Sequence, residues 1–165
     1  MLIVRRKPIL TTVAPLCLML AALLGFVPHS SLAAYGPGVP VAQMPPPGPG
    51  LARVWILRTW DPINMVGTPM VYVNGVPFGP SAAGTAFYRD LPAGSYVFSV
   101  DSCTKDVNQD ARLTLAPGMQ LNLEVQYLQN FTSLGCFTPG AYYVRPIASH
   151  VAQMYMQQLS FLGAR

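Results

Sequence analysis

Thr85–Asp101 reads TAFYRDLPAGSYVFSVD. Two runs rich in aromatic and β-branched residues, Thr85–Leu91 and Ser95–Asp101, flank Pro92-Ala93-Gly94. Runs of that composition bounded by Pro and Gly are strand signals, and the short Pro-Ala-Gly interval is a tight turn. The same grammar recurs downstream, where Arg112–Leu115 (RLTL) and Met119–Leu128 (MQLNLEVQYL) are separated by Ala116-Pro117-Gly118. In the second of these runs Leu121, Leu123, Val125 and Tyr127 alternate with Gln120, Asn122, Glu124 and Gln126. That alternation predicts one buried and one solvated face.

Outward from this centre the pattern stays β. Ala52–Trp60 (ARVWILRTW) is a strand candidate with Val54, Ile56 and Trp60 on one face, closed by Asp61-Pro62. Pro69–Val73 (PMVYV) runs into Asn74-Gly75 and then Val76-Pro77-Phe78. Asn-Gly between apolar runs signals a hairpin, because both turn residues need positive φ. Pro77 confines the second arm to a sheet edge. Ala141–Arg145 (AYYVR) is the last strand candidate. About seven short strands joined by Gly/Pro turns predict a mainly β fold, an antiparallel β-sandwich.

The tail changes period. Ile147, Val151, Met154, Tyr155 and Leu162 recur at helical spacing, with Ser149 as N-cap and Gly163 as terminator, which predicts one C-terminal α-helix. Its other face carries His150, Gln153, Gln157 and Ser160, and no charged residue stands between Arg145 and Arg165. A face made polar by amides alone is weakly hydrated for a helix surface. It makes His150, Gln153 and Gln157 the candidate partner surface, although an ordinary covering helix has the same pattern.

Arg89–Phe98 (RDLPAGSYVF) followed by Leu113–Gln120 (LTLAPGMQ) resembles the prealbumin-like β-sandwich, also described as transthyretin-like or carboxypeptidase regulatory-like. Together with ARVWILR, VYVNGVPFG and the closing AYYVR plus helix, residues 51–163 resemble the bacterial family catalogued as domain of unknown function 2846. The resemblance implies an exported bacterial protein, often a lipoprotein. This chain departs there: Cys17 lies inside an apolar run, without the small residues that precede a lipidated cysteine. The family's activity is unknown, so the resemblance implies no site residues.

The N-terminal part sets the domain organisation. Arg5, Arg6 and Lys7 precede the apolar run Leu16–Val27 (LCLMLAALLGFV), which Pro28 ends, and Ser31 and Ala33 are small residues suited to signal-peptidase cleavage. Residues 1–34 read as a signal peptide cut after Ala33 or Ala34. The alternative is a retained anchor, since the apolar stretch extended back to Ile9 approaches spanning length. Residues 35–50 are a Pro/Gly-rich linker, with six prolines and four glycines in Gly36–Gly50, predicted to be an extended spacer. Residues 51–165 are the sandwich domain with its helix.

Charge obeys this partition. Only 10% of the 165 residues are charged, against roughly 25% in an ordinary soluble domain. The net +4 looks basic, yet three of the ten cations lie in the signal segment. The remainder of the chain carries seven basic and six acidic residues, a net of +1, with no two basic residues adjacent. There is no stripe to follow a phosphate backbone, which excludes nucleic acid as partner, and no stable membrane span remains after cleavage. Cys103 and Cys136, an even pair in an exported chain, predict a disulfide.

The inventory for chemistry is thin. His150 is the one histidine after the signal segment, and no Ser/His/Asp or Cys/His set assembles without it. Asp106, Asn108 and Asp110 have the alternating oxygen spacing of a calcium loop. Ala111 and Pro117 stand where such a loop needs glycine and its closing acid, so the stretch reads as a solvated turn. Neighbouring aromatics such as Phe87-Tyr88 and Tyr142-Tyr143 must point to opposite sheet faces, and the helix and loops are expected to cover them. The functional expectation is a periplasmic or secreted module of the bacterial envelope. It is non-catalytic, needs no cofactor, and binds an envelope protein or a cell-wall partner. The alternative is a sandwich that holds a small apolar ligand, with an enzyme the third class.

Overall fold

Leu51–Arg58 (β1) is buried along almost its whole length, on both faces, as its near-continuous apolar sequence requires of a central strand. A computed structural model describes Gly38 and residues 44–62, 67–129 and 140–165. Met70–Val73 (β2), Val76–Pro80 (β3), Gly94–Val100 (β5) and Ala111–Leu115 (β6) form a four-stranded sheet in the order β3-β2-β5-β6, antiparallel throughout. Thr85–Pro92 (β4), Gln120–Gln129 (β7), Gly140–Pro146 (β8) and Ser160–Ala164 (β9) join β1 in a five-stranded sheet, order β8-β7-β1-β4-β9. There β1 pairs antiparallel with β4 and parallel with β7, and β9 lies parallel to β4.

The two sheets face each other across one core, to which Val54, Ile56, Phe87, Phe98, Leu123 and Val125 contribute. Phe78 and Phe98 meet edge to face at 6.2 Å within it, the arrangement that aromatic quadrupoles favour. The two Pro/Gly turns are corners between sheets. Pro92-Ala93-Gly94 carries the chain from β4 to β5, and Ala116-Pro117-Gly118 carries it from β6 to β7. Both corners are sewn to the start of β1. Ala93 N–H donates to Gly50 O (3.1 Å), Gly118 N–H to Leu51 O (2.8 Å), and Arg53 N–H to Met119 O (2.8 Å). The hairpin obeys its sequence: Asn74 and Gly75 have φ of 51° and 80°, and β3, which contains Pro77, is a sheet edge.

Several expectations are corrected. The described residues form nine strands rather than about seven, and the five-stranded sheet is mixed rather than antiparallel. Trp60 shares no face with Val54 and Ile56, because β1 ends at Arg58 and Trp60 is 64% exposed beyond it. The inner row of β1 is completed by Arg58, wholly buried. Its Nη1 donates to Gly67 O (3.0 Å) and Ser81 O (2.7 Å), and its guanidinium lies 5.1 Å from the centre of the Tyr142 ring. Burial lowers the pKa of this guanidinium from its ordinary value.

The tail differs most. Its helix, Ser149–Met156 (α1), has only eight residues; Ala148 is the N-cap, with no side-chain capping bond. Gly163 does not terminate the helix, for it lies inside β9. The residues after α1 cover the edge of β4, whose backbone donors and acceptors would otherwise be open to another chain. Helix α1 packs Ala152 and Met156 against the outer face of the five-stranded sheet, in a second cluster with Trp55, Leu57, Ala86, Leu159 and Phe161. Asn122 and Glu124, expected on a wet face of β7, are buried. Among the described residues, no helix is long and apolar enough to cross a membrane.

Candidate functional site

Ile147 N–H donates to Asn122 O at 2.9 Å, which ties the start of the tail to β7. Ala152 and Met156, four residues apart, face the sheet, so helical geometry turns the opposite side outward. His150, Gln153 and Gln157, the sequence-predicted partner residues, are all exposed there. Met154, 53% exposed, joins them. These four stand at i, i+3, i+4 and i+7, one continuous stripe. None of them carries formal charge with histidine neutral. The apolar spacing of the sequence places Met154 on the buried side instead. Tyr155 and Ile147 do pack against the second cluster, but its most buried helical members are Ala152 and Met156, one position beyond the expected row.

The linker's described end belongs to the same layer. Met44 packs against the second cluster, and Gly38 N–H donates to Leu159 O at 3.2 Å. Arg53, 3% exposed, holds the chain between them and β1. Its guanidinium grips Asp90 through two bonds (2.8 and 2.9 Å), donates to Pro45 O (2.6 Å) and lies 4.0 Å over the Tyr88 ring. The bond to Asp90 raises the Arg53 pKa further. This part of the spacer is therefore docked onto the domain. Only an arginine and an acid on neighbouring strands signalled it, and sequence reasoning missed the pairing. Beneath it, Trp55, Tyr88 and Phe161 form an aromatic triangle with centroids 4.8 to 6.0 Å apart; Ala152 and Met156 of α1 pack in the same cluster, and so does Met44 of the linker, which the sequence reading made an extended spacer.

Asp106, Asn108 and Asp110 lie in the loop from β5 to β6, which runs along the open edge of β8. Val144 N–H donates to Gln109 O (2.9 Å), and Tyr142 N–H donates to Ser102 Oγ (3.1 Å). The buried Gln109 amide donates to Thr104 O (2.8 Å) and Tyr142 O (3.3 Å), while its carbonyl accepts the Asp106 N–H (3.0 Å). Arg145 donates to Asn108 O, and Asn108 takes a φ of 57°. The Asp106 carboxylate accepts from the Tyr143 hydroxyl (2.5 Å) and the Val107 N–H (2.7 Å). The Tyr143 bond, with the Val107 bond second, holds the Asp106 carboxyl below the ordinary range. The hollow here, about 510 Å³, is lined by cations as well as acids, with Lys105 and Arg112 beside Asp106 and Asp110. Among the described residues no three His, Cys, Asp or Glu gather as a metal site.

Cys103 is exposed at the start of this loop, and Cys136 lies outside the described residues. So do residues 1–34, read as the signal peptide. Glu124, 5% exposed, accepts from Thr59 Oγ1 (3.3 Å) and Gln126 Nε2 (2.7 Å) on the outer sheet face. Thr59, beyond the end of β1, is 65 residues away in sequence, so no local pattern in β7 announces this contact. Comparison with known proteins adds no relative: no family model, no curated protein and no solved structure matches the chain.

Proposed function

We propose that the chain is an exported, non-catalytic module of the bacterial cell envelope, periplasmic or secreted, that binds an envelope protein or the cell wall through the outward face of α1. The observation that carries this reading is the uncharged stripe His150, Gln153, Met154 and Gln157, which stands exposed on a helix packed against the five-stranded sheet. Amide groups and one thioether offer hydrogen bonds and adaptable apolar contact without the desolvation cost of charge. The non-catalytic part of the reading rests on the residue inventory, with His150 the one histidine past residue 34.

The reading includes a signal peptide over 1–34, a prealbumin-like topology, and a Cys103–Cys136 bridge. The inter-sheet Pro/Gly corners are compatible with that topology, which otherwise rests on the quoted motifs. The bridge rests on an even pair of cysteines in a chain read as exported; two free thiols in non-reduced, unfolded protein would remove it.

The test places a photoreactive residue at Gln153 in intact cells, with a second at Arg112, on the other sheet, as control. A discrete adduct from position 153 that disappears with Met154→Asp, and none from position 112, is the expected result. No reproducible adduct, or equal adducts from both positions, overturns the assignment of this face.

A further inference from the structure

Two residues after Phe87 on the inner face of β4 stands Arg89, and its guanidinium lies 5.2 Å from the centre of the Phe78 ring. Phe78 belongs to β3, the edge of the opposite sheet, and its ring lies 6.1 Å from that of Phe87. Arg89 thus occupies the side of the sandwich where β3 passes over β4. Its Nε is buried and has no hydrogen-bond partner. The ion pair found among the described residues joins Arg53 to Asp90, and Asp90 points to the other face of β4, since side chains alternate along a strand.

A second guanidinium is brought to the same face by an irregularity in β9. Ala86 lies opposite Phe161 and Tyr88 opposite Ala164, so Leu162 and Gly163 together span the single residue Phe87. Gly163, with φ of 88°, takes up this bulge. Strict alternation from Phe161, which faces outward beside Tyr88, would send Arg165 outward too. The extra residue reverses the order beyond it. Arg165 N–H donates to Tyr88 O at 3.1 Å, and its guanidinium lies 5.7 Å from the centre of the inward-facing Phe87 ring. Arg89 and Arg165 are therefore cross-strand neighbours on one face.

Like charges in that relation repel. Stacking on phenylalanine offsets part of the repulsion but occupies none of the N–H donors. A guanidinium presents those donors as a planar fork that matches the paired oxygens of a carboxylate or phosphate. Moreover, β3 is the last strand of its sheet while β9 lies one strand beyond β4, which leaves the inner face of β9 open at this side.

The geometry points to an oxyanion site in which Arg89 and Arg165 bind a carboxylate or phosphate group at the open side of the sandwich, with Phe78, Phe87 and Leu162 as its apolar floor. The site goes beyond the partner surface proposed above. It lies on the opposite side of the five-stranded sheet from α1, so either assignment can fail without the other.

The test tracks arginine Nε–H resonances by NMR in phosphate-free, low-salt buffer while inorganic phosphate or acetate is added. Saturable shifts at both Arg89 and Arg165, at concentrations that leave the exposed Arg112 unmoved, are expected. Phosphate alone producing them assigns a phosphate ligand, and acetate alone a carboxylate. Arg165→Gln, a change at an exposed position, should weaken binding at least tenfold, and Arg89→Gln should do the same where it folds. Shifts no tighter than those of Arg112, or full binding retained by Arg165→Gln, overturn the site.

Discussion

The hydrogen bond between Tyr143 and Asp106 links two groups that titrate at opposite ends of the pH scale. It lowers the carboxyl from its ordinary value and raises the phenol from its own. A depressed carboxyl contributes stability that is present above its unfolded pKa and lost as pH falls through the folded value; a raised phenol contributes stability present below its unfolded pKa and lost as pH rises through the folded one. The bond is therefore whole between about pH 4 and about pH 10. Replacing Tyr143 with Phe should move the Asp106 midpoint, tracked by carboxyl NMR, up toward the ordinary carboxyl value. An unmoved midpoint would mean that the hydroxyl is not its main cause. A second residue-scale expectation concerns Gly79. A Cβ there would stand 2.7 Å from Phe87 Cζ, and Phe87 is 1% exposed, with no room to withdraw. Gly79→Ala should cost about 1–3 kcal/mol in chemical denaturation, as overpacked cores do. Part of that cost should be relieved when Phe87→Leu is added. Strict additivity of the two changes would show that the collision is absent.

At the scale of elements, the tail separates what sequence patterns carry from what they do not. Strands with their own turns were legible: the Asn74-Gly75 hairpin, the edge position of Pro77 and the breaks at Pro92-Ala93-Gly94 and Ala116-Pro117-Gly118 all stem from local φ requirements and missing donors, whereas the change of sheet at those two breaks has no local signal. The tail defeats such a reading because Phe161 and Leu162 fit a helical period as well as a strand, and short apolar runs do not distinguish the two. What decided it was the open edge of β4, seventy-odd residues earlier in the chain. The same nonlocality hid the docking of Pro45 on Arg53 and the burial of Glu124. Of the candidate site, the exposed amides were legible from composition, while Met154 needed the rotation of α1 about its axis. That rotation yields a measurable contrast. Met156, 3% exposed in the second cluster, should cost about 2–4 kcal/mol when cut to Ala. Met154→Ala should stay within about 0.5 kcal/mol, as exposed substitutions do. Equal costs would return the helix to the rotation its apolar spacing suggests.

For the whole domain, the two apolar clusters lie on opposite faces of the same sheet and differ in size. The inter-sheet core draws buried residues from eight of the nine strands, whereas the outer cluster is held between two central strands, α1, β9 and the end of the linker. Native proteins open first where fewer apolar contacts must be broken. The outer layer also ends in a parallel, bulged strand paired on one side, while β1 is bonded on both sides and buried on both faces. Native-state hydrogen exchange should therefore resolve two free energies of opening. The amides of Ala152 and Phe161 should exchange through a smaller opening than those of Ile56 and Leu123, which should report global unfolding. Arg53 couples the layers, since its backbone sits in β1 while its side chain holds Asp90 and Pro45. Cutting it to Ala should lower the outer-layer opening energy more than the global one. Identical opening energies at all four amides would instead make the tail an inseparable part of one cooperative sandwich, and an α1 surface on such a body could signal partner binding only by rigid contact.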